Sequence, residues 1–190
     1  MRPYPRRKMA VVRYNPDRHR RRSIRLRQHD YSLGGSYFIT ICTHDRDCLF
    51  GDVVEGEMRL NPLGEIAREE WHGSAGLRPG LALDTFVVMP NHVHSIVTII
   101  AADDVGAHSN APSRDTSFQR SPRSVATFIG GFKGAVTRRV NALRDTTGSQ
   151  VWQRNYYEHV IRDEDEFQRI RWYIEDNPRR WSEDEYNPNR

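Results

Sequence analysis

Two histidines stand one residue apart in MPNHVHSIV, residues 89–97. The run is otherwise β-branched and apolar, so it reads as a strand. Alternation then puts His92 and His94 on one face, about 6–7 Å apart along the chain. Two neutral imidazoles so placed can converge on one divalent ion and leave positions open for water or substrate. The pair serves equally well as two half-buried histidines bonded to backbone carbonyls, and H-x-H by itself does not decide between the two.

The neighbouring residues exclude some metal chemistries. A cupin-type site wants a Glu three or four residues further on, where Val97 and Thr98 stand, and a histidine triad wants a third alternating His where Ile96 stands. An amidohydrolase barrel needs about 250 residues, and the chain has 190. A third ligand must therefore arrive from elsewhere. WYIEDNPRRW, residues 172–181, offers one. Tyr173 and Asn177 are four apart, so a helical turn stacks them on one face. An Asn carbonyl oxygen suits a hard metal, and a tyrosine hydroxyl beside it could reach a group held by the ion. Taken singly, Tyr173 is also an ordinary border residue of a helix core, and Asn177 before Pro178 is ordinary helix-end punctuation.

The elements that must position these groups can be read in order. SYFITICT (36–43) reads as a strand, and VVEGEMRL (53–60) as a hairpin turning at Glu55-Gly56. Asn61 caps a helix with Pro62 at its first position and Leu63, Ile66, Ala67 and Trp71 as its apolar stripe. DTFVVMP (84–90) and HVHSIVTII (92–100) are two strands joined at Pro90-Asn91. Ser121 and Pro122 open a helix faced by Val125, Phe128, Ile129, Phe132, Val136, Val140 and Leu143. A strand follows around 151–161. The last helix starts at Asp163, with Glu166 completing a capping box and Phe167, Ile170 and Ile174 as its core side. Strands interleaved with helices, some of them in hairpins, predict an α+β sandwich with a mainly antiparallel sheet.

Composition sets further bounds. No apolar run approaches the roughly 20 residues of a membrane helix, and the basic N-terminus lacks the apolar core of a secretory signal. A cytoplasmic protein with no membrane partner is the expectation. Cys42 and Cys48 are the only cysteines, too few for a disulfide framework or a Cys-rich zinc site. The formal charge is +4, but residues 1–27 carry ten Arg and Lys8 against Asp17 alone. The rest of the chain is mildly acidic. A basic arm of this kind attracts polyanions by counterion release, without regard to sequence. Three parts are expected: a basic extension (1–27), a domain (28–181) with a flexible insertion loop at 101–120, and a C-terminal tail (182–190).

MPNHVHSIV, VWQRNYYEHVIR and YIEDNP, in that order and at these distances, together resemble the single-tyrosine HUH transposases, most of all the REP-associated tyrosine transposases. The resemblance runs over most of the domain, from RRSIRLRQHDYSLGGSYFITICTHDR through GFKGAVTRRVN to NPRRW. It implies a ferredoxin-like α+β sandwich, with the histidine strand near the sheet centre and the tyrosine helix packed across it. It also implies cleavage and joining of single-stranded or hairpin DNA through a 5′-phosphotyrosine. His92, His94 and Asn177 would be ligands of Mg²⁺ or Mn²⁺, and Tyr173 the nucleophile. Many relatives carry Gln at the third ligand position, and the Asn here is one methylene shorter. Tyr156 and Tyr157 are rival nucleophiles, but neither has a ligand-type residue one helical turn away. A non-cleaving hairpin-binding protein of the same fold is the alternative reading. A monomer is favoured over a dimer that exchanges the tyrosine helix.

Expected DNA contacts are Arg138 and Arg139 beside the apolar stripe, Lys133 in the glycine-rich turn GGFKG, and Arg154 in WQRNYY. A tight helix–sheet contact with solvated cations fits the same residues.

Overall fold

The computed structural model describes residues 34–74, 80–100 and 124–190. The expectations for the basic arm, the 101–120 loop and the Ser121-Pro122 helix start lie outside the described residues.

Six strands and three α-helices are described: β1 (Gly35–Cys42), β2 (Gly51–Val54), β3 (Glu57–Leu60), α1 (Pro62–Ser74), β4 (Leu81–Met89), β5 (His92–Ile99), α2 (Val125–Arg144), β6 (Tyr157–Ile161) and α3 (Glu164–Glu175). The four longer-range strands form one antiparallel sheet in the order β4-β5-β1-β6. With the β2–β3 hairpin set aside, the chain runs βαββαβ, the ferredoxin-like plan, followed by α3. β5 lies inside the sheet, its register to β1 pairing Thr40 with His94 and Cys42 with His92. The hairpin turns at Glu55-Gly56, both at positive φ (54° and 78°), as a two-residue turn with matching twist requires.

Alternation sorts side chains to the two faces. Tyr37, Ile39, Ile41, Val93 and Val97 point to α1 and α2, where they meet Trp71, Phe128, Phe132, Val136 and Val140. Trp71 lies flat on Phe86, with ring centroids 4.5 Å apart. On the opposite face, Ile96 and Ile161 meet Ile170 and Ile174 of α3, with Phe38, Val87, Phe167 and Tyr173 at the margin. The period-two alternation of β5 thus sends its histidines toward α3 and its valines toward α1 and α2.

The helix starts follow side-chain chemistry. Asn61 Oδ1 accepts the N–H groups of Leu63 and Gly64 (2.9 and 3.0 Å). Asp163 Oδ1 accepts the Glu166 N–H (2.7 Å), while Glu166 reaches back to the Arg162 N–H (2.9 Å). The capping box is therefore displaced by one residue from the usual reciprocal form. Ser124 is the N-cap of α2, its hydroxyl accepting the Thr127 N–H.

Three expectations are corrected. The strand around 151–161 is confined to Tyr157–Ile161, with only an isolated antiparallel bridge from Trp152 to Thr43 before it. Upstream of it the carbonyls of Gln153, Arg154 and Asn155 turn toward Lys133 Nζ (2.5, 3.2 and 3.5 Å) instead of a neighbouring strand. The GGFKG stretch is not a turn but lies inside α2. A Cβ at Gly130 would meet nothing within 4 Å, so no close backbone approach explains that glycine. Leu143 lies 59 % exposed in the last turn of α2, off the otherwise buried stripe.

Candidate active site

His92 and His94 are the first and third residues of β5, their ring centroids 4.5 Å apart and both side chains excluded from solvent. Each ring is oriented through Nδ1. Asn91 Nδ2 donates to the carbonyls of Arg46 (3.0 Å) and Tyr186 (2.7 Å), which fixes that amide and leaves its Oδ1 facing His92 Nδ1 at 2.9 Å. His92 therefore carries its proton on Nδ1 and a lone pair on Nε2. His94 Nδ1 lies 2.8 Å from Thr40 Oγ1, its cross-strand partner on β1. Burial, reinforced by His94 and Arg46, holds His92 well below the ordinary imidazole value, with the nearby Asn177 amide acting the other way. Burial also brings His94 down to about 3. Both rings are neutral near pH 7.

Tyr173 approaches from α3. Its Oη stands 3.5 Å from His94 Nε2, at the outer limit of a hydrogen bond. Its ring meets Phe38 edge-on, with centroids 6.0 Å apart. Burial raises the phenol above its ordinary value; Asp184 and Glu185 add to this, and Asn177 and Arg180 oppose it. Asn177 follows the helix but keeps helical backbone angles (φ −57°, ψ −41°), and a 3-10 turn over Pro178–Glu183 follows. The four-residue spacing therefore still stacks Asn177 with Tyr173.

The 3-10 turn returns the chain to the histidines. Asp184, its C-cap residue, is buried beside them, and one ligand atom each from His92, His94 and Asp184 lies within 4.8 Å of the others. Asp184 Oδ2 accepts from Asn177 Nδ2 (3.3 Å) and Oδ1 from the Tyr186 N–H (2.7 Å). The Tyr186 ring lies 4.7 Å from that of His92, and the Arg46 guanidinium covers the Tyr186 ring at 4.9 Å. His92 Nε2 and Asn177 Oδ1 are buried without a hydrogen-bond partner. With the His92 proton fixed on Nδ1 and the Asn177 amide nitrogen turned to Asp184, both are lone-pair acceptors facing a common space.

His92, His94, Tyr173 and Asn177 are thus brought together from two elements distant in sequence. Asp184, Asn91, Thr40 and Tyr186 complete the surroundings. Asn91 stood inside the quoted strand motif, and its adjacency to His92 was the available signal. Asp184 sits in SEDEYNPNR, which reads only as an acidic tail.

Of the rival tyrosines, Tyr156 packs on the α1/α2 side and Tyr157 lies opposite Thr40, two strands from His94. Tyr156 donates to Glu158 (3.1 Å), and Tyr157 is 54 % exposed beside Phe38. His159 bonds Glu166 (2.9 Å) at the base of α3.

The expected DNA-contacting cations divide. Arg139 pairs with Glu69 (2.6 Å) and Glu70 (2.9 Å) of α1, and the Lys133 ammonium is held by backbone carbonyls. Arg138 and Arg154 are exposed, and neither makes an ion pair among the described residues. Arg138 and Arg139 belong to α2, so the sheet separates that helix from Tyr173. No helix among the described residues is long and apolar enough to cross a membrane.

No protein-family model matches the chain. It is 40 % identical over 179 residues to an uncharacterized protein of Haemophilus influenzae, covering 92 % of this chain and 97 % of that protein. A REP-associated tyrosine transposase, solved bound to a REP hairpin, superposes with a TM-score of 0.55 at 20 % identity, covering 81 % of this chain and 72 % of that one.

Proposed function

The chain belongs to one family with the Haemophilus influenzae protein and has the fold of a REP-associated tyrosine transposase, and from that premise we propose that it cleaves and rejoins single-stranded or hairpin DNA through Tyr173. One observation carries the reading: a tyrosine hydroxyl stands 3.5 Å from a buried, neutral imidazole whose neighbours are further acceptors without donors.

The site fits a divalent cation. His92 Nε2 and Asn177 Oδ1 face the same space as His94 Nε2 and the Asp184 carboxylate. Buried acceptors that oppose one another are costly unless a cation or proton lies between them. Mg²⁺ or Mn²⁺ held by His92 and His94 would polarise the scissile phosphate and offset charge developing on it. Asn91 holds His92 in the tautomer that leaves its Nε2 free, and Thr40 orients the His94 ring through Nδ1.

Tyr173 Oη attacks phosphorus, a bond forms to the 5′-phosphate, and the 3′ oxygen leaves and takes a proton as 3′-OH. The phosphotyrosine keeps the energy of the broken phosphodiester bond, so a later 3′-OH can displace Tyr173 and rejoin a strand without a nucleotide cofactor. Because burial raises the phenol pKa, Tyr173 is protonated before attack and must lose that proton in the step. Arg154 and the exposed Tyr157 edge, which continues through Phe38 toward Tyr173, are suited to backbone and unpaired bases.

The test uses labelled hairpin DNA drawn from the flanks of the gene, with and without Mg²⁺ or Mn²⁺. The expected result is a metal-dependent covalent protein–DNA adduct that Tyr173→Phe abolishes. Binding with no adduct under any condition supports a hairpin-binding protein instead. Cleavage that survives Tyr173→Phe overturns the tyrosine assignment.

A further inference from the structure

The family resemblance puts the third metal ligand at Asn177, and the structure sets the Asp184 carboxylate beside it, hydrogen-bonded to the Asn177 amide. We infer that the carboxylate of Asp184, outside the tyrosine helix, is a further, anionic ligand of the metal centre and that the Asn177 amide nitrogen holds it in place; this rests on the proposal that His92 and His94 hold a divalent ion.

Without DNA, a negative group in the pocket would favour a bound dication. His92, His94 and Asn177 contribute no charge, and a hard dication is held chiefly by anionic oxygen. Asp184 is the only carboxylate among the described residues that joins both histidines in a ligand-sized cluster, within 4.8 Å. It is 9 % exposed and has no cationic side chain within ion-pair distance among the described residues. A buried carboxylate normally has such a partner. Its two hydrogen bonds among the described residues, from Tyr186 N–H and Asn177 Nδ2, use one lone pair on each oxygen and leave the others.

Asn177 is oriented for support. Its Nδ2 end, which cannot bind a cation, is turned to Asp184 Oδ2, and its unpartnered Oδ1 is thereby directed to the space in front of His92. The amide thus fixes the carboxylate in the way that a carboxylate or carbonyl behind a metal-bound histidine fixes the ring. Pro178, directly after Asn177, opens the 3-10 turn that carries the chain from one residue to the other.

The experiment measures Mn²⁺ binding to the DNA-free full chain by titration calorimetry and by the loss of free-ion EPR signal. Wild type is expected to bind Mn²⁺, and His92→Ala to lose it. Asp184→Asn, nearly isosteric, is expected to weaken binding by roughly a hundredfold or more, and Asn177→Ala by about tenfold, in the range of outer-shell losses. Asp184→Glu keeps the charge and should bind more tightly than Asp184→Asn, which holds the test open should one variant fold poorly. Circular dichroism melts establish folding for each. Asp184→Asn binding as tightly as wild type overturns the assignment, as does His92→Ala binding normally, which would put the ion elsewhere. An Asn177→Ala loss as large as that of Asp184→Asn overturns the division of roles. The adduct assay on wild type is independent: an adduct formed by a protein whose Mn²⁺ affinity ignores Asp184 leaves the transposase reading standing and removes this one.

Discussion

Tyr173 Oη and His94 Nε2, 3.5 Å apart, join two elements that share no backbone hydrogen bonds: the interior strand β5 and the helix α3. Their approach is set by packing beneath them, where Ile170 and Ile174 of α3 meet Ile96 and Ile161 of the sheet. Ile174 is fully buried. Ile174→Ala should cost about 2–5 kcal/mol in denaturant unfolding and slow adduct formation by more than the unfolded fraction accounts for. Adduct rates that scale with folded protein alone would show that α3 keeps its place without this contact.

Asn91 is expected to matter for metal affinity although its amide is engaged on both sides and not offered to the ion. Its amide holds the carbonyls of Arg46 and Tyr186 and orients His92. Asn91→Ala should weaken Mn²⁺ binding about 10- to 100-fold. Asn91→Asp should not rescue it, because a carboxylate cannot donate to those carbonyls. Calorimetric affinities of the two variants check this, and equal affinity in all three proteins would contradict it.

The histidines also set an acid limit. Burial lowers both pKa values, His94 to about 3 from an ordinary 6.5. Below pH 6.5 the unfolded chain takes up protons that the folded protein refuses, so stability falls as pH drops from there toward 3. Above 6.5 this contribution is fully present. His94→Gln should reduce the slope by about one proton, or roughly 1.4 kcal/mol per pH unit. Urea midpoints between about pH 7 and 4 measure it, and parallel profiles for the two proteins would argue against a neutral buried His94.

The cations should separate by function. Lys133 is committed to three carbonyls, so Lys133→Met is expected to lower stability by about 1–3 kcal/mol with the salt dependence of DNA binding unchanged. Arg154→Ala should leave stability alone and reduce the slope of log affinity against log salt by about 1, one phosphate contact. Arg139→Ala should affect neither the slope nor the adduct, since its guanidinium faces Glu69 and Glu70. Fluorescence anisotropy across a salt series reads all three.

What could be read from the sequence follows from local periodicity. The alternation in β5 and the apolar stripes of α2 and α3 reflect contacts with a continuous sheet, so the pattern and the packing coincide. The same logic misread 151–155: Val151 and Trp152 are apolar because they are buried, with Trp152 against Phe50 and Phe132, yet the carbonyls that follow belong to a lysine rather than to a strand. His92, His94, Tyr173 and Asn177 were visible because chain spacing places each pair. Asp184 was not, because its position depends on the path of a 3-10 turn that no periodicity records.

That path has a consequence in time. The sheet half of the pocket is settled once β5 pairs with β1 and β4, whereas Asp184 and Tyr186 come from the segment after α3. On the proposed reading, the pocket is completed only when the segment after α3 seats against β5.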